Sequence, residues 1–308
     1  MKNLILLPYI RGKIDQRVDR LLHDLADPVP PLRLEEVREL LKLDLAYYIG
    51  EHDGFLYETV HRLKMAGKQV LARPTLVLDA IRKFNLKALY VPDRGRILID
   101  DSLPKPKHRW IEGHEIIHKL LDWHMPVLRG DDELTLKQSC LAKVETEANY
   151  GAGQLLFLRR RFIAEVLDTS PSIKLVCSLA KDFGNTHAST LWRLVETAGA
   201  ERPILGVIHY HPELASQSDK FDPANPCRHF IQSEAFARQF SNVTEQQIHS
   251  LILNYCRPRK GGPLGDDTAI LQDDNGEEHE FVFATFNFVH ECLTLGLHLR
   301  KHSAIVGV

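Results

Sequence analysis

The sequence predicts an α+β chain built in two parts, and three observations carry that expectation. Proline-free stretches with apolar residues at helical spacing dominate residues 1–199. Within them, two short apolar runs, Leu86–Val91 and Gly95–Asp100, flank the turn Pro92-Asp93-Arg94-Gly95 and read as an antiparallel pair. Residues 200–308 change character and mix strand-like runs with shorter helices, and 308 residues are enough for two domains.

The elements follow in order. Ile14, Val18, Leu21, Leu22 and Leu25 form one helical stripe that ends at Pro28-Val29-Pro30-Pro31, so residues 1–31 read as an N-terminal helix and linker. Leu34 to Leu43 predicts a second helix and Leu45 to Ile49 a strand. Residues 51–85 read as a helical insertion, Phe55–Ala66 and Thr75–Phe84, split at Arg73-Pro74. After the antiparallel pair, Trp110, Ile111, Ile117, Leu120 and Leu121 have helical spacing, with no proline until Pro126. A longer helix is expected in Thr135 to Leu158, then a helical pair through Ala198, which closes a domain over 32–199. In 200–308, Ile204–Tyr210 and Phe281–Val289 are strand-like, Asp274-Asn275-Gly276 is a hairpin-type turn, and Ser233–Phe240 and Glu245–Leu253 are helical. This predicts a second, smaller α+β domain with a sensory or substrate-docking role.

Composition excludes several classes. Lys and Arg number 39 against 41 Asp and Glu, a net charge of −2, so nothing global points to a nucleic-acid or membrane surface. The start, MKNLILLPYIRG, is too short an apolar run for a signal peptide, and no stretch approaches transmembrane length. Five cysteines, odd in number and without a CxxC, suit reduced thiols in a cytoplasm.

The most informative pentapeptide is His114-Glu115-Ile116-Ile117-His118. On a helix, histidines four apart lie on one face, so both imidazoles can reach one metal ion. Glu115 beside them is placed to take a proton from water. This is the HExxH arrangement of zinc peptidases, two ligands and a general base in just over one turn.

Two residues compete as third ligand. His124 would complete a longer pattern, HExxHxxGxxH, in which a glycine turns the chain back to the metal; that position is Leu121, expected to continue the helix and carry His124 away. Glu145 is the other candidate. Leu141, Val144, Ala148, Ala152 and Leu155 fall on one side of the later helix, with Glu145 inside the stripe and Glu147 expected on the solvated side. A carboxylate facing a core needs a partner, either a metal or an arginine such as Arg109. Ala148, Gly151, Ala152 and Gly153 would let this helix approach another closely. His209, His211, Cys227, His229 and Cys256 have no recognisable ligand spacing.

The pentapeptide, followed by Glu145-Thr146-Glu147-Ala148-Asn149-Tyr150 and Leu155-Leu156, resembles the ImmA/IrrE family of metallopeptidases. Leu98-Ile99-Asp100, Leu103-Pro104 and Arg109 before it, and Lys181-Asp182-Phe183-Gly184 through Trp192-Arg193-Leu194 after it, extend the resemblance over roughly residues 30–198. It implies a zincin-like metallopeptidase core, with the active-site helix and glutamate helix beside a small antiparallel sheet. It implies one Zn²⁺ held by His114, His118 and Glu145, with Glu115 as catalytic base and Asn149 orienting a ligand. The chain departs from the pattern at Asp122, at Phe157-Leu158-Arg159 and at Gly184-Asn185-Thr186.

The resemblance further implies a cytoplasmic regulatory endopeptidase that cuts a helix-turn-helix transcriptional repressor, with no direct nucleic-acid or membrane partner. A metal-containing binding or sensing regulator with negligible turnover is the alternative. Tyr150 and His124 are the candidate oxyanion stabilisers.

Overall fold

The computed structural model describes residues 2–48, 88–92, 95–129, 138–211, 221–257, 259–288 and 291–302. The helices expected within 51–85 lie outside these residues. What is described is an α+β chain with two sheets. It divides into two compact units, one of Leu6–Arg161 with Phe183–Asn185, the other of Met1–Ile5, Phe162–Asp182 and Thr186–Val308. The division falls just after Arg161, whereas the sequence reading placed it at residue 199.

The first unit opens with α1 (Pro8–Asp24), which buries Ile14, Val18, Leu21 and Leu22 as the stripe requires, and α2 (Leu34–Leu41). Strands β1 (Asp44–Tyr48), β2 (Ala88–Val91) and β3 (Arg96–Asp100) form a sheet in the order β1-β3-β2. The pair β2–β3 is antiparallel, as expected, with Ala88 opposite Ile99 and Val91 opposite Arg96. The sheet as a whole is mixed rather than antiparallel, because β1 runs parallel to β3, Leu45 beside Ile97. A parallel neighbour needs a long connection, and the stretch from residue 49 to 95 supplies that length.

Helix α3 (Lys105–Leu120) carries the pentapeptide. A 3₁₀ turn at Asp122–His124 follows, then α4 (Met125–Arg129) and the long α5 (Gln138–Leu156). Helix α3 packs on β2, β3 and α5, and α5 packs on α1. Two glycines set the α3–α5 separation. A Cβ on Gly151 would stand 2.7 Å from Ile117 Cγ2, and one on Gly113 would meet the Leu156 side chain at 3.0 Å. Of the small residues expected to permit close approach, Gly151 does so, and Gly113 on α3 adds a second such point.

Helix α6 (Arg160–Leu167) has no counterpart among the expected elements. It is separated from α5 by Leu158 and Arg159, which take left-handed φ of 50° and 30° without glycine. The turn is tied down by Arg159, whose guanidinium reaches Asp19 at 2.7 Å and Asp15 at 3.1 Å on α1.

In the second unit, α7 (Ile173–Phe183, up to Asp182) and α8 (His187–Ala198) precede a five-stranded antiparallel sheet. Its strands are β4 (Ile204–His209), β5 (Cys227–Gln232), β6 (Gly262–Gln272), β7 (Glu278–Asn287) and β8 (Cys292–Lys301), in the order β5-β4-β8-β7-β6. Helices α9 (Glu234–Gln239) and α10 (Glu245–Tyr255) lie between β5 and β6 in sequence. Phe236 and Phe240 of α9 and Ile248 and Ile252 of α10 join Leu205, Val207, Phe230, Phe281 and Phe283 of the sheet in one core. Strand β4 is buried along its whole length, as a central strand with both faces covered must be. On the outer side of β5, Lys2 bridges to Phe230 in the parallel sense, and the Asn3 side-chain amide exchanges bonds of 3.0 and 2.8 Å with the Gln232 backbone. Among the described residues, no helix is long and apolar enough to cross a membrane.

Candidate metal centre

One turn of α3 sets His114 above His118, and their Nε2 atoms stand 3.1 Å apart. Glu145, on α5, brings Oε2 to 3.1 Å from His114 Nε2 and Oε1 to 3.5 Å from His118 Nε2. Three donors bound tetrahedrally to zinc at about 2.0–2.1 Å would lie about 3.3 Å from one another, so two nitrogens and a carboxylate here stand at the edges of such a site. The donor set and its spacing fit a zinc ion. Unlike Arg109, which the sequence offered as an alternative partner, the histidines are what Glu145 faces; Arg109 instead donates to Leu32 O at 2.8 Å and Asn185 Oδ1 at 3.3 Å.

Electrostatics agree with the geometry. Burial alone would raise the Glu145 carboxyl, but its hydrogen bonds with His114 and His118, and their charge, outweigh that and hold it well below the usual carboxylate range. Burial opposes a proton on His114, yet the bond to Glu145 and the charges of Glu115 and Glu145 more than offset it, so this imidazole holds its proton more tightly than usual. Two imine nitrogens and a carboxylate packed this closely need a cation among them, either a proton or a metal.

Asn149, one turn beyond Glu145, places Oδ1 3.0 Å from His114 Nδ1. With the amide oxygen as acceptor, Nδ1 carries a proton and Nε2 is the atom turned to Glu145 and His118, where it can hold either a proton or a metal. Glu115 is 7% exposed, and burial raises its carboxyl, with His118 and His114 partly opposing. The Tyr90 backbone N–H on β2 donates to it. Tyr48, at the end of β1, was not singled out from the sequence; its buried phenol is pushed up to about 12, by burial first and then by the charges of Asp100 and Glu115.

Two expectations are overturned. Leu121 does not continue the helix: it takes extended backbone, φ −94° and ψ 95°, with its side chain fully buried. The 3₁₀ turn then returns His124 to the site, and its Nδ1 lies 3.0 Å from His118 Nδ1, on the side of that ring away from Glu145. Burial, and next the charge of His118, push His124 down to about 3. Glu147 is not solvated but 1% exposed; its Oε2 accepts from Trp123 Nε1 at 2.7 Å and lies 3.3 Å from His124 Nε2. The signal was present in the sequence: Glu147 falls three residues after Val144 and four before Gly151, both on the buried face.

Neither candidate oxyanion stabiliser faces the Glu145 side. The Tyr150 hydroxyl donates to Asp15 Oδ1 at 3.1 Å, and His124 lies behind His118.

In the second unit His209 and His211 are held in hydrogen bonds. His209 Nδ1 donates to Tyr210 O at 2.7 Å, and its Nε2 lies 3.0 Å from Thr294 Oγ1. Thr294, Thr285 and Tyr255 continue that line of hydroxyls in two steps of 2.7 Å. His211 Nε2 is 3.0 Å from Arg259 O, and His229 packs edge-on against Trp192. Ligand-type atoms also gather at Asp273, Glu277 and His279 in the β6–β7 turn, where Asp273 Oδ1 accepts the backbone N–H groups of Asn275 and Glu277.

No family model and no curated protein matches this chain. Among solved structures 11 chains match it, including one described as a Mycobacterium tuberculosis transcriptional regulator. That chain aligns with a TM-score of 0.53 and 12% identity, over 93% of this chain and 88% of its own. The likeness is one of fold.

Proposed function

We propose that the chain is a zinc-dependent endopeptidase with a zincin-like core, holding one Zn²⁺ through His114, His118 and Glu145 and hydrolysing a peptide bond in a protein substrate. The observation that carries the proposal is the convergence of those three side chains at 3.1–3.5 Å beside a buried glutamate on the same helix. When bound, zinc supplies Lewis acidity, which polarises a carbonyl and makes water acidic near neutral pH. Glu115 accepts the proton of the attacking water and hands it to the departing amine. Burial raises its proton affinity above that of an ordinary carboxylate, the direction that favours taking a proton from water. Asn149 holds the His114 ring with its Nε2 lone pair facing inward.

By its resemblance to ImmA/IrrE peptidases, the substrate is a helix-turn-helix transcriptional repressor and the site of action the cytoplasm, with which five free thiols accord. A place in gene control is in keeping with the name of the structural neighbour.

Elemental analysis of the purified chain and of Glu145→Ala tests the metal site. About one zinc per chain, lost in the variant, is the expected result; zinc retained without Glu145 would remove that residue from the ligand set. The Glu115→Gln protein should keep zinc and partner binding but lose cleavage. Full biological output from that variant would favour a binding or sensing regulator over an enzyme.

A further inference from the structure

Behind the proposed ligand His118 lies a second line of buried polar groups that the peptidase reading does not use. Glu147 and His124 are 1% and 0% exposed, and Trp123 Nε1 donates to the same carboxylate oxygen that His124 Nε2 faces. A carboxylate and an imidazole buried together are costly unless each hydrogen-bonding atom is used. Packing alone would be served by apolar residues in both places.

We infer that Glu147 and His124 are positioning residues that fix the tautomer and ring orientation of His118, so that its Nε2 lone pair is presented to the metal. The inference rests on the zinc-site proposal and extends it by one layer of residues. Hydrogen-bond direction follows from the end of the line. The carboxylate of Glu147 has only acceptors, so His124 donates from Nε2 at 3.3 Å. A His118 that offers Nε2 to a metal carries its ring proton on Nδ1, so it donates to His124 Nδ1 at 3.0 Å. His118 is left with its proton on Nδ1 and an unprotonated Nε2, 3.1 Å from His114 Nε2 and 3.5 Å from Glu145 Oε1.

Each link therefore points one way, from His118 through His124 to Glu147, and the carboxylate's other partners are Trp123 on the same oxygen and Lys143 Nζ, 4.0 Å from Oε1. His114 receives the same service from Asn149 in a single step. The two ligands are thus oriented from opposite sides, one by an amide on α5 and one by a histidine–carboxylate pair drawn from the 3₁₀ turn and α5. The turn at Leu121 acquires a purpose: a continued helix would have removed His124 from the line.

The test uses the full chain loaded with zinc. Long-range ¹H–¹⁵N correlation of the imidazoles should show His118 protonated at Nδ1 and His124 protonated at Nε2 only. Zinc affinity, read by competition with a chromogenic chelator, should fall about 10–100-fold in His124→Phe. The visible bands of the cobalt-substituted variant should shift, a change that a merely space-filling role would not produce. In His124→Gln the amide oxygen can accept from His118 and the amide N–H can donate to Glu147, so most of the lost affinity should return. A His124→Phe protein that binds zinc like the wild type with unchanged cobalt bands overturns the inference, as does a His124 protonated at Nδ1. If His124→Phe does not fold, the wild-type tautomers decide the matter alone. Wild-type protein that takes up no zinc sinks the metal site itself, and is told apart from failure of the relay by being independent of His124.

Discussion

Ile117 and Gly151 meet where α3 and α5 leave no room for another carbon: a Cβ on the glycine would lie 2.7 Å from Ile117 Cγ2. This contact decides how closely α3 and α5, which carry His114, His118 and Glu145, approach. Gly151→Ala would gain roughly 0.5–1 kcal/mol of helix propensity but lose about 1–3 kcal/mol to overpacking, so a net loss of stability is expected. It should also weaken zinc binding, because Glu145 lies less than two turns away on the same helix. Urea denaturation and zinc titration of the variant check both; a more stable protein with wild-type zinc affinity would refute the close contact.

Metal binding should depend on pH in one direction. In the metal-free chain His114 holds its proton more tightly than an ordinary histidine, while Glu145 stays ionised far into acid. Zinc has to displace a proton from imidazole but none from the carboxylate. Affinity should therefore be level at alkaline pH and fall, as pH drops through and below the histidine range, by about tenfold per unit for each imidazole that must be deprotonated. Chelator competition from about pH 8 to about pH 5.5 reads this slope, and a flat profile would mean that the imidazoles are not ligands.

Acid should loosen the second unit through His209. Burial depresses this imidazole to about 4, against the opposing hydrogen bond to Tyr210 O, with the nearby charges of His249 and His211 adding to the depression. Between the ordinary value of 6.5 and about 4, the unfolded chain binds a proton that the folded chain refuses. Stability from this residue is therefore complete above the ordinary value and is lost as pH falls toward the depressed one, by roughly 3 kcal/mol in all. Thermal or urea unfolding across that range, compared with His209→Gln, isolates its share. Parallel curves for the two proteins would count against the prediction.

Helix α3 was legible because its evidence is local: two histidines four apart and apolar residues on the helical period need only α3 itself. Glu145 was picked out by its place on α5, but the two faces were read the wrong way round, since its side chain is 49% exposed and Glu147 is the buried carboxylate. Gly151 makes the close approach its size implied. His124 was misplaced because its position depends on a chain reversal at Leu121, which is set by burial of that leucine and not by a glycine or proline in the sequence. Glu147, by contrast, was misplaced although Val144 and Gly151, three and four residues away on α5, mark its face as buried. Helix α6 was hidden likewise, since Leu158 and Arg159 adopt left-handed backbone that their residue types rarely signal. In the second unit, β6 begins Gly262-Pro263-Leu264-Gly265-Asp266-Asp267 and reads as a loop. Its extended form comes from pairing along β7, Asp266 opposite Ala284 and Gln272 opposite Glu278, and such long-range pairing leaves no mark on a single strand's composition.

Asn3 and Gln232 are hydrogen-bonded although 229 residues separate them in sequence. The ribosome makes the bordering peptide, at Asn3, 229 residues before it reaches Gln232 of β5 itself. At roughly 5–20 residues per second, the early peptide waits on the order of ten to forty seconds for the strand it will cover. Asn3 therefore has no β5 to cover until that strand is made, and for that interval the early peptide is open to other strands.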